Sequence, residues 1–361
     1  MRIIRLGALL TSLCMLFACG GGSNTDSDVG TNNPPPTGNG DSGCAGSCAN
    51  ASSFLTVDDV QKVIAQAVNE ARALSKPATI VVTDRVGNVL GAYRMTGAPP
   101  TQLVNSGRGI VGGLEGIPLP SELTAIAKAL TADYFSSEGN AFTSRTAGQV
   151  AQEHFAPGDI TAPSGPLFGV QFSQLPCSDL SRRFNGIGPD AGPHRSGIGL
   201  AADPGGVPLY KAGVPVGAVG VAADETYGVD TSTADIDRNI DEFIAIAGSY
   251  GFAAPADRRA NQITAGGLSL RYSDVDFSGL TLDPAAAPTF ASLGPEAGGV
   301  IPVPLFFTGT IVRGLAFGQV ESGIRPDPVN FPGLDAFVVD DGTGTNRFPP
   351  RDGTDGPNAL T

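Results

Sequence analysis

Imidazoles are scarce in this 361-residue sequence. The two imidazoles, His154 and His194, titrate near neutral pH and can ligate metals. His154 follows a helical stretch and suits capping of its last carbonyls. His194 stands in Gly192-Pro193-His194-Arg195-Ser196-Gly197, a loop fit either for plain exposure or for ligation above a pocket. Met95 is the one thioether beyond the first 18 residues. Lys128 sits inside Ala125-Ile126-Ala127-Lys128-Ala129-Leu130-Thr131-Ala132, where a cation must reach solvent along its stem or meet an anion. Nothing places Ser196 on a strand-to-helix elbow, so no Ser, His and Asp constellation stands out. Gly205-Gly206 and Gly217 with Gly220 have no following helix to make a phosphate cradle and read as turn and close-packing glycines. Asp340-Asp341-Gly342-Thr343-Gly344 lacks the spacing and the closing Glu of a calcium loop. Ligand binding is thus better provided for than catalysis, and whether any reaction is catalysed stays open.

The elements that must position these groups are legible from periodicity and turn chemistry. Thr56 with Asp59 forms a capping-box pattern, and Val60, Val63, Ile64, Ala67, Ala71 and Leu74 then fall on one helical face that ends near Pro77. Thr79 to Thr83 and Val89 to Met95 read as strands paired around Gly87-Asn88. Pro120-Ser121-Glu122 opens a second helix with Leu123, Ile126, Ala127, Leu130 and Tyr134 on one side. A third helix is expected over Thr143 to His154, a second hairpin over Val207 to Lys211 and Val216 to Ala222, and a last helix over Thr233 to Ala247. Helix, hairpin, helices, hairpin, helix suggests an α+β unit with an antiparallel sheet and packed helices.

Three separated stretches add a resemblance. Ile80-Val81-Val82-Thr83-Asp84-Arg85-Val86-Gly87-Asn88-Val89-Leu90 leads to Arg94-Met95-Thr96-Gly97-Ala98. Next come Ala127 to Ala132 with Phe135, then Gly205-Gly206-Val207-Pro208-Leu209 and Val216 to Val221. In this order the sequence resembles the GlcG/HbpS family, whose members are heme-associated or of unknown role. The resemblance implies a profilin-like α+β domain over residues 54–255, with Gly/Pro-rich insertions at 101–120 and 175–203 that depart from the family pattern and would reshape or cover a pocket. It also implies heme, or a related tetrapyrrole-like small molecule, as candidate ligand and cofactor. Heme asks for a flat apolar slot, cations for its propionates and an axial ligand. Met95, Lys128, Thr131, Phe135 and His194 are the candidates, the Lys128 helix being expected to face the sheet near Met95 and form a ligand wall. Core packing for Met95 and snorkelling for Lys128 are the plainer alternatives.

The ends lie outside that pattern. Arg2 and Arg5 precede the apolar run Leu6 to Phe17, and Leu16-Phe17-Ala18-Cys19 resembles a lipobox, so residues 1–18 are expected to be a signal peptide and Cys19 the lipidation site. Residues 19–53, rich in Gly, Ser, Asn, Asp and Pro, form a tether. Cys44 and Cys48 are candidates for a local disulfide, with Cys177 left over and no metal ligand set assigned. With 22 Lys and Arg against 35 Asp and Glu, net −13, the chain repels nucleic acid and anionic lipid, so membrane contact would come through the anchor alone. Residues 256–361 carry short apolar runs broken by Pro and Gly and suggest an irregular β-rich extension laid onto the main domain. The expectation is a lipid-anchored bacterial envelope protein, periplasmic or surface-exposed, that binds heme or a related ligand. The alternative is a non-catalytic structural or assembly module. A homo-oligomer is compatible with either.

Overall fold

The computed structural model describes residues 53–109, 111–156, 159–170, 172–174, 196–334, 336–340 and 343–347. Cys19, Cys44, Cys48, Cys177 and His194 lie outside the described residues. Thr56 opens α1 (Val57–Ala73) with a reciprocal cap: its hydroxyl accepts from Asp59 N, and Asp59 Oδ2 accepts from Thr56 N at 2.8 Å. β1 (Thr79–Asp84) and β2 (Val89–Met95) are antiparallel. Gly87, at φ 87°, turns the chain between them in a region costly for residues with a Cβ. The first insertion folds as β3 (Thr101–Asn105) and β4 (Pro118–Pro120), followed by α2 (Ser121–Tyr134) and α3 (Ser144–Val150). β5 (Gly206–Lys211), β6 (Val214–Ala222) and β7 (Thr226–Gly228) precede α4 (Ile240–Gly248).

The C-terminal region contributes β8 (Thr264–Ala265), β9 (Leu268–Ser269), β10 (Gly298–Val300), β11 (Ile324–Pro326) and β12 (Phe337–Val339), among several single 3₁₀ turns. It is the β-rich extension expected. The main sheet runs β10-β2-β1-β6-β5, antiparallel throughout. β3 lies between β4 and β7, pairing parallel with the latter, and two further hairpins stand apart. No described helix is long and apolar enough to cross a membrane.

Alternation along the strands sends side chains to two faces with different partners. Ile80, Val82, Leu90, Tyr93 and Met95 pack with α1 and α4, and Leu270, Tyr272, Val275 and Leu293 from the extension join that same core. The extension thus shares the main core. Val81, Val89 and Ala92 face α2 through Ala125, Ile126 and Leu130. On β6 the two faces differ in size: Val219 and Val221 fill the α1 side, whereas Ala218 and Gly220 meet α2. A Cβ on Gly220 would lie 2.0 Å from Ala125 O, and one on Gly206 would lie 2.0 Å from Lys128 O. These glycines serve close packing, as the sequence suggests, because α2 lies almost backbone-to-backbone on the sheet.

Two expected helices are shorter than their periodicity suggests. α3 stops at Val150, and His154 lies beyond it with Nδ1 3.1 Å from Ala162 O, so it caps no carbonyl of α3. α4 begins at Ile240, because Asn239 accepts from Glu242 N and fixes the start there. The preceding carbonyls of Thr233 and Asp235 are taken by the Arg271 guanidinium instead of by helical N–H groups.

Gly220→Ala is expected to cost on the order of 3 kcal/mol, because rigid backbone cannot yield to the added methyl. A urea midpoint unchanged from wild type would show that α2 can lift away.

Candidate functional site

Lys128 is wholly buried, and its ammonium is held on both sides by acid. Nζ donates to Asp241 Oδ2 at 2.5 Å, from the first turn of α4. Asp203 Oδ2 also lies 2.5 Å from it; that oxygen satisfies the ion-pair distance but not hydrogen-bond direction. The Tyr227 ring stands 5.8 Å from Nζ, and its hydroxyl is 3.0 Å from Ser173 Oγ. Around this pair the polar groups are shared out closely. Asp241 Oδ1 accepts from Ala223 N at 2.7 Å and Asp224 N at 3.3 Å. Gln102 Nε2 donates to Asp224 Oδ1 at 2.8 Å, and Gln102 Oε1 accepts from Thr124 Oγ1 at 2.5 Å. Both the first insertion, through Gln102, and the end of the second, through Asp203, are tied to this one cluster.

Burial alone would lower the Lys128 pKa, but Asp203 and Asp241 outweigh it and raise the value, so the amine stays charged. The carboxylates pay for their number. Burial and the neighbouring Asp224 and Asp241 push Asp203 up to about 7 against the pull of Lys128. Burial, then Asp241, raises Asp224 to about 6.

The sequence candidates are only partly brought together. Thr131 is buried one turn beyond Lys128; its hydroxyl donates to Ala127 O at 2.7 Å and accepts from Ala201 N at 2.8 Å. Phe135 packs edge-to-face on Phe172, with centroids 6.5 Å apart, in a cluster with Leu200 and Ala202. Met95 is elsewhere: it lies in the α1 core, and its sulfur accepts from Ala78 N at 3.4 Å. On the α2 side of β2 stands Arg94 instead, paired with Glu122. The expected wall of Lys128, Thr131, Phe135 and Met95 is therefore corrected on two counts. Strand alternation separates Met95 from α2, and the chain's own residues 172–174 and 198–203 already cover the helix. Val104, Leu114, Leu119, Ile198, Ala201 and Tyr227 fill the remaining apolar contact around Ala127.

These residues do not fit heme at that position. The cation is neutralised from within, the thioether is in another core, and among the described residues no flat apolar slot lies between them. Sequence reasoning identified Lys128 as needing solvent or an anion but missed Asp203, Asp241, Asp224 and Gln102, which lie 26 to 113 residues away with no shared motif.

Comparison with known proteins bears on the sheet side of the domain. Residues 55–106 match the family model described as haem degrading protein HbpS-like. Residues 55–106 are HbpS-like. Among solved structures, a PduOC–heme complex is similar at 17% identity over 55% of this chain and 96% of its own, TM-score 0.33. Klebsiella pneumoniae protein ORFY matches at 17% over 56% and 94%, TM-score 0.32, and HbpS at 22% over 57% and 96%, TM-score 0.30. At such scores the assignment rests on the matched segment. No curated protein matches. That segment covers α1, β1, β2 and β3 and includes Met95, but not α2.

Other polar groups outside this cluster are differently occupied. Asp230, Asp235 and Asp237 bring carboxylate oxygens within 4.8 Å of one another, yet the buried Arg145 guanidinium lies 2.9 Å from Asp230 and 3.4 Å from Asp237. Asp133 is buried with neither carboxylate oxygen hydrogen-bonded; burial, then the charge of Asp84, raises its pKa well above the ordinary value.

Lys128→Met should destabilise the fold by roughly 3–5 kcal/mol, because it leaves buried carboxylates uncompensated. Lys128→Glu should fail to fold, where a surface ligand contact would only lose affinity. Circular dichroism melts of both variants decide; a near-wild-type melt for either would show the ammonium to be dispensable.

Proposed function

We propose that the chain is an envelope lipoprotein whose HbpS-like domain binds heme or a related flat, anionic small ligand. The observation that carries this reading is the match of residues 55–106 to the haem degrading protein HbpS-like family. The solved PduOC–heme complex, a protein of similar fold, keeps heme foremost among such ligands. Because residues 198–203 cover α2, we take the ligand to bind elsewhere than at the wall expected from the sequence. Met95 cannot serve as an axial ligand while the α1 core is closed over it. That leaves the imidazoles, and His194 is the candidate we carry forward. Hemin titrated into the chain beginning at Cys19 should give a Soret band that saturates, and His194→Ala should shift that band if its imidazole ligates iron. Binding no greater than that of an unrelated acidic protein would remove the heme reading.

The N-terminal pattern supports the address. Arg2, Arg5, the apolar run and Leu16-Phe17-Ala18-Cys19 favour lipidation at Cys19, with residues 20–53 as tether. Cys19→Ser should release an unlipidated or unprocessed product from the membrane fraction; an intact mass showing wild-type protein without lipid would refute the anchor.

A non-catalytic structural or assembly role is the second reading. It is favoured by the occupied cation: the insertions that distinguish this chain from its family converge on Lys128 and fill the helix surface with protein instead of leaving a cleft.

A further inference from the structure

One apolar side chain of the extension is held outside every core, in a backbone conformation that a glycine would adopt more easily. Val303 and Phe307 are buried on the α2 side of the sheet, in a cluster with Val81, Ala92 and Ile126. They close a tight loop: Val303 N donates to Phe307 O at 2.9 Å, and Val303 O accepts from Phe306 N at 3.0 Å and from Phe307 N at 2.8 Å. Pro304 and Leu305 are the two central residues of the turn, and Phe306 folds back against the core. Leu305 does the opposite. It is fully exposed, and its φ of 70° lies in the left-handed region that Gly or Asn usually fills at this turn position. Among the described residues no contact offsets either the strain or the exposure.

The stretch around this turn is also set apart by its charge. No charged residue stands between Glu296 and Arg313, in a chain with 35 acidic and 22 basic residues, and Val312 near its end is exposed as well. It then runs to the point where the tether enters the fold: the Arg313 guanidinium lies 5.0 Å from the Phe54 ring, and Gly314 N donates to Leu55 O at 2.8 Å. Even fully extended, the chain from Leu305 to Arg313 spans no more than about 28 Å. A Gly-rich tether of the length of residues 20–53 reaches roughly 30 Å on average. We propose that Leu305 is a bilayer-inserting tip, which enters a zwitterionic headgroup layer once the chain is anchored at Cys19. The inference rests on the lipid-anchor reading above and adds a second membrane contact, where the sequence pattern suggested the anchor alone.

Lipid suits this tip better than a protein partner does. A stable protein interface takes about 800 Å² from each side, and one projecting leucine supplies a small part of that. A bilayer asks for no complementary pocket. A chain already held at the surface needs only a small further gain, because the second contact is made within the same tethered molecule. Anionic lipid would repel the acidic remainder of the chain, whereas a neutral headgroup layer matches the uncharged stretch around Leu305.

The chain has no tryptophan, so Leu305→Trp reports from that position alone. Combined with Cys19→Ser, and without lipid, it should emit as an indole in water. Short-wavelength emission there would show that the chain covers the tip itself, and a blue shift growing with protein concentration would show that a second copy does; either overturns the proposal. The lipidated Leu305→Trp chain, floated on phosphatidylcholine vesicles, should shift to shorter wavelength and lose most of its intensity when the acyl chains are brominated. Val329→Trp, also at an exposed position of the extension, should do neither. A tip that stays water-like on floated vesicles, or a Val329→Trp chain that responds in the same way, overturns the insertion and leaves the anchor standing. A wild-type chain that does not float removes the anchor and the tip with it. Leu305→Gly checks the premise: its melting temperature should equal or exceed that of wild type, because Gly adopts this φ without strain, and a large drop would show the leucine to be structural.

Discussion

An ammonium removed from water costs several kcal/mol unless carboxylates and fixed dipoles replace its hydration, and that requirement at Lys128 organises much of this molecule. The residue is placed in the middle of α2 by a helix of small side chains that could otherwise lie flat on the sheet without any polar demand. Once buried, its charge must be met from outside the helix. It is met by Asp241 from α4 and Asp203 from the end of the second insertion, while Gln102 ties the first insertion to the same carboxylates. Elements separated by more than a hundred residues are thereby forced to one point. Removing one partner would leave the rest unpaired in a dry interior, so the cluster is specified as a unit.

The close approach of α2 to β5 and β6 is the second half of the same constraint. Gly206 and Gly220 leave no room for a Cβ, and the Lys128 carbonyl is one of the atoms in the way. The helix cannot rise to make a slot beneath it without surrendering that contact, nor can its outer side accept a flat ligand while Leu200, Ala201 and Ala202 lie across it. A sheet and a closely lying helix are thus combined with a surface that the chain has filled for itself. A ligand would have to displace protein there, or bind at another surface.

How much of this was legible depended on range. The capping box at Thr56, the turn at Gly87 and the alternation of β2 are contacts within a few residues, and each formed as its pattern required. The opposite facing of Arg94 and Met95 was likewise visible in the alternation, though which face α2 would take was not. α4 was overextended because Thr233 to Asn239 carries helical periodicity; its backbone is captured by Arg271 and Asp274, partners supplied from the extension. β10 was missed since Gly298-Gly299-Val300 has almost no apolar pattern, and it pairs only because β2 offers an open edge. The demand of Lys128 for an anion could be read from its neighbours. The identity of that anion could not, because charge pairing over 75 or 113 residues leaves no periodic trace.

The extension also changes what the sheet can do at its margins. A free edge strand offers unpaired N–H and C=O groups to another chain. β10 takes the β2 edge, and being three residues long with two glycines it makes a poor template for a further strand. At the other margin, Tyr210 N is bound to Phe252 O and Gly206 N to Ser144 Oγ, so part of the outward donor set of β5 is already spent. Arg85, stacked 3.8 Å from the Phe317 ring and paired with Glu138, fastens the later part of the extension near the β1–β2 turn. Association of this chain through continued strand pairing is therefore opposed at both ends of its main sheet. An assembly, if the protein makes one, has to be built from side-chain surfaces, and those surfaces belong largely to the insertions and the extension that set this chain apart from the small domain at its centre.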